Sequence, residues 1–463
     1  MWMFFILWVG MILKGAGVVS AENYIQPYRE NAFYWQLKGE PVLLLGGTVE
    51  DNVYQIADLE AHLDLLASVG GNYVRCTMSC RDEGDAWWFG KDAETDLYDL
   101  NKPGADHWGR FDRFMKLTSE RGIVAQFELW DRFDFARENW EVNPYNPKNN
   151  VNYSNEESGL DAVYELHPGR KENPFFRSVP ALENNEVLLA YQHQQVDRML
   201  SVTLMYEHVL YCIDNETNES PEWGKYWSNY IKEKAKEAGV KVMTTEMWDA
   251  HNLLADEHKA TFDHPEIYDF VDVSQNNHQV GKVHWDNPLA VRQYIIDSGH
   301  IRPMNTVKIY GANTGRYGTT RDAQERFWRN ILVGMAGTRF HRPPSGLGLN
   351  EIAQAHIQSM RMALTEHDIF KSEPRLDLIG ERSVNEAYCS AHVGESYLVF
   401  FPDGGNVSLD VSAMGDQPLT IQWLDIRNCM WAEDEVDILS QDGKIRLITP
   451  DEEGYWAAVV KGS

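Results

Sequence analysis

Asn215-Glu216 closes the apolar run His208-Val-Leu-Tyr-Cys-Ile213, one residue beyond it. A carboxyl just past a buried-looking strand contributes little to packing and is well placed for chemistry. It can protonate a leaving oxygen as a general acid, while the preceding Asn hydrogen-bonds a substrate hydroxyl. Taken alone, the polar run Asp214–Glu219 reads equally well as a solvated loop. Other strand ends carry comparable groups. Glu128, Trp130 and Asp131 follow Ile123–Phe127, and Arg75 lies in Asn72–Cys76. Glu246, Trp248 and Asp249 follow Val240–Met243. Asn276, Asn277 and His278 follow Phe270–Val273, and Lys308 and Tyr310 end the run from Asn305. Glu246 is the expected second carboxylate. Its plain alternative is a charge partner for Arg75 or Lys308. His278 is expected to orient a carboxylate or bind a hydroxyl, unless it is a satisfied structural histidine. His251 and His341 are weaker candidates. Lys308 is expected either to lower the pKa of Glu216 or Glu246 by proximity or to bind a sulfate or carboxylate on the substrate.

These groups require a scaffold that gathers strand ends. From residue 41 the chain alternates short apolar runs with helix-like periodic segments, the rhythm of a parallel sheet. The strand-like runs are Pro41–Leu45, Asn72–Cys76, Ile123–Phe127, His208–Ile213, Val240–Met243, Phe270–Val273, Asn305–Ile309 and Thr338–His341. Helices are expected over 56–69, 111–121, 186–207, 223–238, 323–335 and 350–369. Eight strands in series imply an α/β fold, a closed (β/α)8 TIM barrel over about 30–372 with strand C-termini at the active-site face. After Pro374 the runs become short and alternating, with Gly, Asp and Asn turns, which predicts a small antiparallel β-sandwich over 373–463. The polar stretches Arg81–Gly104 and Asp131–Pro180 are expected as cleft-wall loops. Trp87, Trp88 and Trp140 are candidate sugar platforms there, against simple loop anchoring.

Bulk properties narrow the function. With 42 Lys and Arg against 70 Asp and Glu, the 463-residue chain carries a formal charge of −28. That argues against a nucleic-acid partner, which needs cations to displace phosphate counterions. An anionic substrate stays open, because local Arg and Lys can line a cleft. Aromatic residues make up 12%, including 16 Trp and 21 Tyr, which favours carbohydrate as partner. Met1–Ala21 reads as a signal peptide, although it lacks a basic start, so the protein is expected to be secreted, periplasmic or at the cell surface. An uncleaved anchor is the alternative, and no later segment is apolar enough to span a bilayer. The five cysteines show no metal-ligand spacing, and Cys389 and Cys429 are placed to pair. No metal and no organic cofactor are expected.

The Gly46-Gly47-Thr48 turn, Arg75 on strand two, Asn215-Glu216 on strand four and the C-terminal Tyr397-Leu-Val and Pro402-Asp-Gly-Gly pattern resemble clan A glycoside hydrolases. The chain looks most like their apiosidase-like group, secreted barrels followed by a β domain of the collagen-binding type. The resemblance implies hydrolysis of glycosidic bonds in a polysaccharide or oligosaccharide, with Glu216 as acid. It also implies a Glu nucleophile ending strand seven, where Lys308 stands. Retaining hydrolysis needs two carboxyls about 5–5.5 Å apart. Three readings follow. An inverting or otherwise modified hydrolase would use Glu216 with Glu246, or with Asp249, Glu128 or Asp131, across about 6.5–9.5 Å. A polysaccharide lyase would use Lys308 or Tyr310 for β-elimination, with Asn276, Asn277, His278 and Arg316 around the uronate. An inactive barrel would bind glycans without turnover. Arg75, Asn215, Glu128, Trp130, Trp248, Asp249, Asn276, His278 and Tyr310 are expected to contribute to substrate binding, with a structural ion pair the alternative for Arg75.

Overall fold

The computed structural model describes residues 21–463 other than 314 and 434. The leader expected over Met1–Ala21 lies outside the described residues, apart from Ala21. Eight parallel strands form the barrel: β1 (Leu44–Gly47), β2 (Tyr73–Thr77), β3 (Val124–Asp131), β4 (Val209–Asn215), β5 (Met243–Thr245), β6 (Val271–Asp272), β7 (Met304–Ile309) and β8 (Gly337–Phe340). They lie in the order 5-4-3-2-1-8-7-6. The seam between β5 and β6 is bridged by the Asp269 amide donating to the Thr244 carbonyl at 2.8 Å and by the Thr245 hydroxyl donating to the Phe270 carbonyl at 2.7 Å. Every residue of β2, β3, β4 and β7 is buried. Strands covered on both faces read as largely apolar runs, interrupted here by buried polar residues such as Arg75, Gln126 and Asn305.

Eight helices stand outside the strands: Leu59–Ser68, Ala105–Arg121, Glu186–Thr203, Pro221–Glu237, Asp256–Phe262, Gly281–Ser298, Thr320–Leu332 and Glu351–Glu366. Asn185, Ser220, Thr319 and Asn350 cap four of them by accepting from first-turn amides. Gly239 follows Pro221–Glu237 at φ +75°, the left-handed turn that glycine accommodates at a helix end.

The first strand departs from expectation. Pro41-Val42 belongs to a three-stranded antiparallel sheet (Gln26–Pro27, Trp35–Leu37, Glu40–Val42), and the barrel strand starts at Leu44. That sheet sends Trp35 into the barrel, where its indole N–H donates to Asn305 Oδ1 at 3.0 Å and its ring meets Phe270 edge-on. Asn305 in turn donates to the Tyr73 hydroxyl at 3.2 Å, which donates to Gln126 at 2.5 Å. The barrel interior is thus a bonded polar plug rather than a pore.

The long stretch after β3 is a packed element with a core of its own. Phe135 stacks on Phe175 at 3.9 Å, with Trp140 and Tyr145 against them. Trp88 and Trp140 are buried, donating their indole N–H groups to Met78 O at 2.6 Å and Asp161 O at 2.9 Å. They anchor the loops and present no face to a sugar. Trp87, half-buried, packs edge-on against Trp88.

From Glu373 onward the chain forms two antiparallel sheets. Strand Ser396–Phe401 shows how they join the barrel. Tyr397, Val399 and Phe401 enter the β domain's own core. Leu398 and Phe400 face the barrel, with Phe400 stacked on Trp328 at 5.2 Å. Cys389 and Cys429 are unpaired, as are the other three cysteines. Cys389 is buried in the domain core, while Cys429 lies against the Ala355 carbonyl of a barrel helix. No helix among the described residues is long and apolar enough to cross a membrane.

Candidate active site

Glu216 is the first residue beyond β4 and takes a left-handed backbone, φ +55°. For a residue with a Cβ this costs on the order of 1–3 kcal/mol, and such strain concentrates at functional sites. The chain is held there because Thr217 exchanges backbone hydrogen bonds with the extension of β5, donating to Met247 O and accepting from Asp249 N, both at 2.8 Å. The Glu216 side chain lines a cleft of about 250 Å3 at the strand C-termini.

Lys308 on β7 lies opposite. Its ammonium is 2.5 Å from Glu216 Oε1 and 2.6 Å from Asn215 Oδ1. Asn215 Oδ1 also accepts from Arg75 at 2.9 Å, and its amide donates to Asp131 Oδ2 at 3.0 Å. Arg75, fully buried on β2, is the hub. It grips Glu128 through two contacts, one of them 2.7 Å, and forms an ion pair with Asp51 at 2.5 Å. Asp51 further meets Arg342 at 2.9 Å and His341 at 3.3 Å. One guanidinium thus ties Asp51, beyond β1, to the Asn215-Glu216 pair, beyond β4.

Five cations line the cleft: Arg75, Arg81, Lys308, Arg316 and Arg342. Asp51 and Glu216 are the carboxylates among the described lining residues. Burial pushes the Glu216 carboxyl up, but the Lys308 charge and hydrogen bond outweigh it and bring the pKa to about 2. Burial opposes ionisation of Asp51 as well, and Arg75, His341, Arg339 and Arg342 together hold it well below the usual carboxylate range. Both are carboxylates in the resting protein. Burial drives the Tyr310 hydroxyl well above 10, which makes it a poor base. Tyr310 meets His341, Tyr317 and His278 edge-on at 4.9, 5.0 and 5.5 Å.

The structure brings together Arg75, Asn215, Glu216, Lys308 and Tyr310, and sets His278 exposed at the rim beside His251. Asp249 is also at the rim, paired with Arg132 at 2.7 Å. Several other expected site residues do not reach the cleft. Glu246 is buried with Oε1 accepting from the Asp214 and Met247 amides at 2.9 and 3.1 Å. Its Oε2 faces the outer helix Pro221–Glu237, where a Cβ at Gly224 would lie 2.4 Å from it. It therefore points into the strand–helix layer, away from the mouth, and cannot activate water for Glu216. Burial, then the charge of Asp214, keeps its carboxyl well above the usual range. Glu128 is sealed beneath the cleft as the partner of Arg75. Trp130 packs among Phe175, Trp223 and Trp227, and Trp248 donates to the Thr261 hydroxyl at 2.8 Å. Asn276 is buried, bonded to His284 O and Asn287. Asp51, Arg81 and Arg342 escaped sequence reasoning. The only signal for Asp51 was its place a few residues beyond Gly46-Gly47-Thr48. Among the described residues there is no cluster of three or more His, Cys, Asp or Glu able to hold a metal ion.

No family model matches the sequence, and no curated protein matches it. Solved structures match its fold. A glycoside hydrolase family 5 structure from Bacteroides vulgatus aligns with TM-score 0.64 at 12% identity, covering 95% of this chain and 94% of that one. The chain shares the fold of that glycoside hydrolase. A family 5 mannosidase from Rhizomucor miehei, in complex with mannosyl-fructose, aligns with TM-score 0.51 at 12% identity over 76% of this chain and 99% of that one. A further glycoside hydrolase structure aligns with TM-score 0.64 at 11% identity over 96% of this chain and 98% of that one. At such identities the likeness speaks for the fold.

Proposed function

We propose that the protein is an exported glycoside hydrolase acting on a polysaccharide or oligosaccharide that carries an anionic group. Glu216 donates the proton to the leaving oxygen. Asp51, the other carboxylate of the cleft, takes the place expected of Glu246 and draws the proton from the attacking water. The supporting observation is Glu216 itself: a strained carboxyl just beyond β4, in a cleft where the same guanidinium binds Asp51 and Asn215. The resemblance to the apiosidase-like group and the shared barrel fold support the same reading. The anionic substrate is supported by five lining cations in a chain of formal charge −28. Such a chain repels polyanions except where cations are clustered.

The Lys308–Glu216 ion pair also favours a second reading, a barrel that binds glycans without turnover, because a clamped carboxylate is no acid. Product analysis separates them. Wild type, Glu216→Gln and Asp51→Asn are incubated with neutral, uronic and sulfated polysaccharides. New reducing ends without ultraviolet absorbance, lost in both variants, are the expected result. Reducing ends with the absorbance of an unsaturated uronate mean β-elimination instead. Affinity without products means a binding protein.

A further inference from the structure

The cleft raises a question that the hydrolase reading leaves open. A general acid must hold a proton, and a group with a pKa of about 2 does so only on the order of once in 10⁵ at neutral pH. We propose that Lys308 makes the acid conditional: it clamps Glu216 as a carboxylate in the resting protein and releases it when an anionic group of the sugar takes its ammonium. The proposal rests on the hydrolase reading above and adds to it how the site makes proton donation depend on the anionic substrate.

Three observations carry it. First, an ammonium has three donors, and Lys308 directs two to Asn215 Oδ1 and Glu216 Oε1, which leaves one for a ligand in the cleft it lines. Second, a charged ligand has further cations to bind. Arg316 is exposed at the mouth and forms no ion pair among the described residues, and Arg81 and Arg342 line the same cleft. Third, the barrel shows what a glutamate does here without a cation. Glu246, one strand away and buried without a cationic partner, is held well above the carboxylate range. Burial is likewise the largest influence on Glu216, and the Lys308 charge and hydrogen bond, with smaller help from Arg132 and a Gln275 hydrogen bond, reverse it. The other charged or titratable groups around Glu216 are Arg132, Arg316, His167, His278 and Tyr310. None lies as close to it as Lys308 among the described contacts.

The sequence of events balances. The sugar's carboxylate or sulfate pairs with Lys308, and Glu216 takes a proton from solvent. The glycosidic C–O bond then breaks, its electron pair stays on the leaving oxygen, and the Glu216 proton goes there. A water oxygen bonds the anomeric carbon and gives its proton to Asp51. In this step Glu216 and Asp51 are the catalytic residues. Lys308 is the positioning residue that sets specificity.

The test is calorimetry of inorganic sulfate binding to the full chain at mildly acidic pH, in two buffers of different ionisation enthalpy. The expected result is uptake of close to one proton per sulfate, absent in Glu216→Gln and in Lys308→Met. In parallel, kcat/KM is measured on a uronate-bearing glycan and on its carboxyl-reduced form. Wild type is expected to favour the uronate by about 10²-fold, the lower range of general-acid catalysis. Lys308→Met loses that preference, and Lys308→Arg keeps most of it. Turnover with no proton uptake and no preference overturns the clamp and leaves the hydrolase standing. Proton uptake without turnover keeps the clamp and overturns the hydrolase. Neither uptake nor turnover overturns both.

Discussion

Two glutamates end adjacent barrel strands thirty residues apart in the chain, and the fold treats them oppositely. Glu216, past β4, faces the cleft and meets the Lys308 ammonium at 2.5 Å. Glu246, past β5, faces the helix layer and meets two backbone amides, with no cation beside it among the described residues and with Asp214, whose Oδ1 accepts from Trp223, as a charged neighbour. Glu246 is fully buried and Glu216 largely so, with 15% of its side chain exposed. One carboxyl falls to about 2 and the other rises well above 4.5. Burial sets the direction that a carboxyl takes by default, and the placement of a single cation decides whether that default holds.

The largest expected effect is on catalysis. Glu216→Gln keeps the shape of the pair and removes the proton donor, so kcat/KM on the cleaved glycan falls by about 10²–10⁴-fold, read as reducing-end release. Glu246→Gln changes it by less than about twofold if the two glutamates have the separate roles described. Equal losses in the two variants would erase the distinction.

Next comes the clamp's share of stability. Removing one partner of a buried ion pair costs about 3–5 kcal/mol. Lys308→Met should lose stability of that order at neutral pH, measured by denaturant unfolding. The pH dependence has a definite sign. In wild type the folded pKa of Glu216 lies below the unfolded value, so its contribution is present above about 4.5 and is lost as pH falls toward 2. In Lys308→Met the charge and hydrogen bond that lower the folded pKa most are gone, so the folded pKa rises toward the unfolded value and the loss of stability in acid shrinks.

Gly224→Ala sharpens the other side. A Cβ would meet Glu246 Oε2 at 2.4 Å and the Tyr268 hydroxyl at 2.8 Å. Overpacking costs about 1–3 kcal/mol, against the usual gain from Ala in a helix, and Tm should fall while turnover stays. The smallest effect belongs to Glu246→Gln itself. Gln keeps an oxygen for the two amides and no longer titrates. The wild-type contribution of Glu246 is present below about 4.5 and lost as pH rises through its raised pKa. The variant should match wild type in acid and exceed it at alkaline pH.

The sequence makes the barrel visible and the cleft only partly so. Fully buried parallel strands are largely apolar runs, so each of the eight runs overlaps a barrel strand, with Arg75 inside the second and Asn215, Glu216 and Lys308 at or next to the ends of the fourth and seventh. The run Pro41–Leu45 hid a boundary, because its two halves are apolar for different sheets. Helix Gly281–Ser298 left little trace, since Pro288 and scattered charges blur its periodicity. Strand-end position does not tell a side chain which way to turn. Glu246, Trp130 and Asn276 face protein, and Glu128 lies under the cleft floor. Asp51, Arg81 and Arg342 come from irregular segments beyond the strands, whose course no periodicity dictates.

The opposite ionisation of the two glutamates can be observed directly. Carbon-13 resonances of the side-chain carboxyls in Glu-labelled protein, assigned with Glu216→Gln and Glu246→Gln, are followed through a pH titration. A Glu216 carboxylate that titrates near 2, beside a Glu246 that titrates well above the ordinary glutamate value, is the predicted result. A Glu216 resonance that titrates at or above the ordinary glutamate value, or a Glu246 that titrates at or below it, would contradict it.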